Sequence, residues 1–178
     1  CILIFLTLTV FSVEPGSFEE KAKAYKWQLV PIEGLPNVLI LGDSISIAYT
    51  LYVREMLKGK ANVYRPVAND KPLNCGDTVS GLRNLSKWLQ TQDVQKWDVI
   101  HFNWGLHDLC YRSDKSKIVG NRDKINGKQS VPLTQYIQNL EKIVARLKKS
   151  GAKLIWATTT KVPKGEPGRF AGDEIKYN

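Results

Sequence analysis

The amino-acid sequence predicts an α/β domain built on a mostly parallel sheet with helices on both faces. Short apolar runs alternate with longer segments of helical periodicity. Capping and turn residues fall where those segments should start and stop. At 178 residues the chain is one domain by length, large enough to bury a proper core.

Residues 1–13, CILIFLTLTVFSV, carry no charge. The run is too short to span a bilayer and has the length of a signal-peptide h-region. Val10 and Ser12 fit the small-residue positions of a cleavage site, with Glu14 beginning the mature chain. No basic segment precedes the run, and the only methionine is Met56. The sequence is therefore expected to start part-way through a signal peptide, and the mature protein to be secreted, periplasmic or extracellular. A buried strand or a retained anchor is the alternative. Residues 14–35 read as a polar connecting segment and 36–178 as the domain.

Val38 to Leu41 reads as a fully buried strand. Ile45, Tyr49, Tyr52, Val53 and Met56 recur at helical spacing up to Gly59, which is placed to end that helix. ANVYRPV (61–67) is a second strand. Asp77 or Thr78 caps a helix carrying Leu82, Leu85 and Leu89. WDVIHFNWG (97–105) holds a third strand. Residues 109–131 are irregular and basic, with INGK (125–128) as a turn or hairpin tip. Pro132 opens a helix whose apolar stripe is Leu133, Ile137, Leu140, Val144 and Leu147, ending near Gly151. AKLIWATT (152–159) is the fourth strand. GDEIKYN (172–178) resembles the start of a helix, so the sheet is expected to be incomplete at the C-terminus.

Composition excludes more than it selects. With 43% hydrophobic and 24% charged residues the chain is of ordinary globular character. The net charge of +9 comes from scattered Lys and Arg with no aromatic-basic module. It reads as solvated surface, and nucleic acid is not an expected partner. Two histidines, and no cysteine pair at ligand spacing, argue against zinc. Cys75 and Cys110 are enough for one disulfide in an oxidising compartment, but the sequence does not show that they meet.

In parallel α/β sheets, sites form outside the carboxyl ends of the strands. That rule points to Asp43–Ser44, the 68–77 loop, Gly105–Asp108 and Thr158–Lys161. Ser44 lies at a strand-to-helix turn, where a hydroxyl can project and a helix N-terminus can stabilise developing negative charge. It could equally be the N-cap of that helix. Gly76 in NCGDT allows close approach of a backbone N–H to a ligand, or is a turn glycine. His107 and Asp108 follow Gly105. His101, inside the third strand, reads as a packed core histidine.

These blocks, LILGDSIS, NCGDT and GLHD, resemble in order those of the SGNH (GDSL-type) hydrolase family, serine esterases and lipases with a three-layer, flavodoxin-like α/β/α fold. The resemblance spans roughly residues 36–178. It implies Ser44 as the nucleophile, with an oxyanion hole from the Ser44 and Gly76 N–H groups. Asp43 and Asp108 take supporting roles. The family's third block is Gly-x-Asn-Asp, and here His107 replaces the asparagine. A neutral imidazole can donate one N–H to the oxyanion, or His107 could act as a base.

No histidine follows His107, so the family's Asp-x-x-His block is absent. The chain as it stands is expected to be inactive, a fragment of a complete enzyme, because a serine without a base is a poor nucleophile. No cofactor is implied. The expected substrate is a small acyl or acetyl ester, on a small molecule or a polysaccharide. Trp104 and Tyr111 could stack on sugar rings, though Trp104 could equally be core. A non-catalytic carbohydrate-binding module on the same fold is the rival. A nucleotide binder is weaker, because GDSIS lacks a phosphate-cradling glycine run.

Overall fold

The computed structural model describes residues 16–178; the signal-peptide reading of residues 1–13 lies outside them. In chain order the elements are α1 (Phe18–Lys23), β1 (Asn37–Leu41), α2 (Ser44–Met56), β2 (Asn62–Tyr64), β3 (Val67–Ala68) and β4 (Lys71–Pro72). They continue with α3 (Thr78–Leu89), β5 (Val99–Phe102), β6 (Tyr111–Arg112), β7 (Lys128–Gln129), α4 (Leu133–Lys148) and β8 (Lys153–Trp156). Short 3-10 turns lie between them and at Asp173–Tyr177.

The main sheet is parallel, four-stranded and flanked by helices, in the order β2-β1-β5-β8. Register is set by pairs such as Val38 with Val63 and with Val99, and Ile100 with Leu154. Helix α2 packs on one face, and α3 and α4 pack together on the other, as the usual right-handed crossovers would place them. Side chains follow the pleat. Leu39, Leu41, Ile100 and Phe102 join the core cluster with Leu85 and Trp88 of α3 and Ile143 and Leu147 of α4. Each such fully buried aliphatic contributes roughly 1.5–3 kcal/mol. On the opposite face His101 meets Tyr49 of α2 edge-on, with 5.9 Å between ring centroids.

Three local expectations change. The segment 14–35 contains α1, whose start is a capping box between Ser17 and Glu20. Ala22 is fully buried and Phe18 lies 6.1 Å from the Tyr52 ring. On α2 the inward residues are Ser46, Thr50 and Arg54, whereas Ile45 and Met56 are exposed. This polar face is satisfied. Thr50 donates to the Ser46 carbonyl, and Arg54 donates to the carbonyls of Val63, Lys26 and Trp27. On α4 the buried residues are Tyr136, Asn139, Ile143 and Leu147, with Leu133, Leu140 and Val144 half-buried and Ile137 exposed. Ile143 on this face packs closely on α3 at Gly81, where a Cβ would stand 2.8 Å from it.

The basic 109–131 segment is organised by the antiparallel pair β6–β7. A turn closes in front of β7, where Asp123 accepts from the N–H groups of Ile125 and Asn126. Cys75 and Cys110 are both buried and free. Among the described residues, no helix is long and apolar enough to cross a membrane.

Candidate functional site

Strand β1 is buried by its neighbours on both sides and delivers Gly42, Asp43 and Ser44 to its carboxyl end. Gly42 has φ +158°, and a Cβ there would lie 2.8 Å from the Ser46 hydroxyl, so the turn requires glycine. Asp43, not Ser44, is the N-cap of α2: its carboxylate accepts from the Ile45 N–H at 3.0 Å. Ser44 is the first helical residue and is exposed. Its hydroxyl makes no hydrogen bond to another described residue, and the positive end of a 13-residue helix lies behind it.

The second loop arrives from β4 and runs into α3, capped by Asp77 through the Ser80 N–H. Gly76 adopts φ +59°, and its N–H donates to the Asn74 side-chain oxygen at 2.8 Å. The donor expected in the oxyanion hole is thus engaged in a local turn. The loops after β1 and β2 are stitched together, with the Cys75 N–H donating to the Gly42 carbonyl. Burial pushes the Cys75 thiol up to about 11, against the pull of Arg65.

His107 is half-buried in the loop after β5. Burial is the main cause that holds its imidazole below the ordinary histidine value. The negative charge of Asp43 opposes that shift, Arg169 and Arg112 reinforce it, and Asp77 opposes it more weakly. His107 thus feels the charges of Asp43 at the end of β1 and of Asp77 at the start of α3. A neutral His107 there carries one N–H to donate. His101 is half-buried, its imidazole also held low by burial, and its Nδ1 has no partner.

Asp108 is fully buried and lies beneath the site. One carboxylate oxygen accepts from the Thr78 N–H at 2.8 Å and the Thr78 hydroxyl at 2.5 Å. The other has no partner, and burial pushes the group up to about 7. Asp108 therefore braces α3 against the β5 loop and does not face the Ser44 surface.

The structure also withdraws one aromatic. Trp104 is 1% exposed, with its indole N–H directed at the Cys75 carbonyl, so it packs and cannot stack on a ligand. Tyr111 remains half-buried against Phe170, with centroids 5.5 Å apart. Arg169 donates to the Leu106 carbonyl at 2.6 Å and pairs with Glu166, which fixes this aromatic pair beside the His107 loop.

Sequence reasoning missed Arg65, Asn103 and Phe170, and offered Thr78 only as a cap, not as the partner of Asp108. Asn103 joins the ends of β5 and β8 through the carbonyls of Ala157 and Thr158. An available signal was the placement of Arg65 and Asn103, polar residues just past buried strands. Among the described residues no His, Cys, Asp and Glu cluster is placed to hold a metal ion. No protein-family model and no curated protein matches this chain.

Proposed function

We propose that this chain is built for serine ester hydrolysis, on a secreted protein of the SGNH type acting on small acyl or acetyl esters, with carbohydrate as the favoured carrier. The observation that carries the reading is the division of labour between Asp43 and Ser44. The carboxylate takes the capping role, and the serine hydroxyl is left exposed and uncommitted at the helix N-terminus. The strand order β2-β1-β5-β8 supports a flavodoxin-like arrangement, since it matches the first four strands of the 2-1-3-4-5 order.

In the proposed reaction the Ser44 oxygen attacks the ester carbonyl and loses its proton to a base. The Ser44 N–H and His107 hold the oxyanion; Gly76 joins them once its N–H leaves Asn74. The alcohol departs with a proton, and water releases the acyl group from Ser44. Histidine 107 is assigned as donor because the neutral imidazole has an N–H in this neighbourhood. That leaves the base to the histidine of the Asp-x-x-His block, which this sequence lacks, so the chain as it stands is expected to be inactive without an added base.

A second reading, a non-catalytic carbohydrate-binding module, is favoured by the engagement of Gly76 with Asn74. The two separate in a p-nitrophenyl acetate assay with and without added imidazole, using Ser44→Ala as the blank. The hydrolase reading expects a Ser44-dependent rate that imidazole raises about tenfold or more by supplying the base. Equal rates in the parent and Ser44→Ala at every imidazole concentration would sink it and leave the binding module.

A further inference from the structure

We propose that Arg65, just past β2, is the positioning residue that aims the Ser44 N–H and holds the nucleophile turn against the Gly76 loop. This rests on the hydrolase reading of the site. Arg65 is fully buried, yet its six hydrogen bonds all go to neutral oxygens. Nη2 donates to the carbonyls of Gly42 at 2.5 Å, Leu73 at 3.0 Å and Asp43 at 3.2 Å. Nε donates to Leu73 as well, at 3.2 Å. Nη1 reaches the Ser46 hydroxyl at 2.7 Å and that of Thr50 at 3.5 Å. One guanidinium therefore grips two of the three loops that carry the proposed oxyanion donors, those of Ser44 and Gly76.

The direction of that grip matters. The Asp43 carbonyl and the Ser44 N–H belong to one planar trans peptide, so they point opposite ways. The carbonyl accepts from the Ser46 hydroxyl at 2.7 Å, from the Ile47 N–H at 3.1 Å as the first bond of α2, and from Arg65 at 3.2 Å, which together hold it inward. The Ser44 N–H is accordingly turned away from the buried guanidinium. The same residue explains the polar inner face of α2, since Ser46 and Thr50 are the oxygens it uses.

A buried cation without a carboxylate is expensive to desolvate, and an aliphatic residue would pack there at lower cost. A planar fork with five donors, however, can fix two loops at once, which no aliphatic and no lysine can do. The retained positive charge also lies behind the proposed oxyanion, where pre-oriented charge is effective.

The test compares Arg65→Gln, Arg65→Lys and Ser44→Ala in the full chain. Amide exchange is followed in peptides covering 42–47 and 73–78, beside p-nitrophenyl acetate kinetics with added imidazole. In Arg65→Gln both peptides should exchange about tenfold faster or more. The kcat should fall about tenfold or more with KM within about twofold, as for loss of an interaction used in the transition state. If Arg65→Gln does not fold, Arg65→Lys decides, because it keeps the charge and removes the fork; the same two changes are expected.

Parental exchange in both peptides, or a kcat within about twofold of the parent, in a folded Arg65 variant overturns the proposal. Parental turnover in Ser44→Ala overturns the hydrolase reading and the catalytic part of this proposal, even where the exchange rates change.

Discussion

Asp108 and Thr78 are joined twice, through the Thr78 N–H at 2.8 Å and its hydroxyl at 2.5 Å, and this pair ties the loop after β5 to the first turn of α3. Asn139 of α4 completes the link by donating to the same hydroxyl at 3.1 Å. The second Asp108 oxygen is buried without a partner, and desolvation raises the group to about 7. The folded state therefore binds this proton more tightly than the unfolded chain, where an aspartate titrates near 3.9. Its stabilising contribution is complete below about pH 4 and is lost as pH rises towards 7, by as much as roughly 4 kcal/mol. Asp108→Asn cannot titrate. In urea unfolding at pH 4.5, 6 and 7.5, the stability of the parent relative to Asp108→Asn should fall steadily with pH. A constant difference would remove this account.

His107 is proposed as an oxyanion donor, so an amide should replace it. His107→Asn keeps a side-chain N–H donor and should keep kcat within about threefold of the parent. His107→Phe, which has no donor, should lower kcat about 100-fold. Both are read on p-nitrophenyl acetate with imidazole present. If Asn proves as damaging as Phe, His107 acts as a base instead.

Gly81 of α3 packs directly against Ile143 of α4. A methyl there would stand 2.8 Å from Ile143 and 3.1 Å from the Trp104 ring. The overpacking in Gly81→Ala should destabilise the domain by about 1–3 kcal/mol, despite the gain in helix propensity. Thermal unfolding measures this, and an unchanged or raised Tm would show that the helices separate without strain.

Phe170 is 41% exposed and lies edge-on to Tyr111 beside the His107 loop. If sugars stack there, Phe170→Ala should raise KM for an acetylated oligosaccharide about fivefold or more and leave p-nitrophenyl acetate kinetics unchanged. Equal effects on both substrates would place Phe170 in general packing.

Residues fixed by local chemistry were legible in the sequence. Asp77 was one of two cap candidates for α3 and caps it, whereas the cap of α2 falls on Asp43, one residue before the Ser44 that the sequence offered. The alternation of apolar runs with periodic segments was enough for a parallel sheet flanked by helices, because crossover handedness and strand burial leave few other arrangements. The placement of Ser44, Gly76 and His107 beyond strand ends follows from the same topology.

Other features depended on partners distant in sequence. Aliphatic periodicity suggested an apolar inner face on α2, whereas Ser46 and Thr50 face inward because Arg65 lies beneath them. The inward face of α4 meets partners distant in sequence, Ile143 against Gly81 of α3 and Tyr136 against Tyr177. Trp104 could have faced a ligand or the core, and packing put it in the core. The sequence by itself determined the four strands of the main sheet and the three helices packed on them, but not α1 or the short pairs β3–β4 and β6–β7. Only the tertiary structure decided which face of each helix is buried, since that depends on what stands opposite, a cation with its carbonyls or a close-packed glycine.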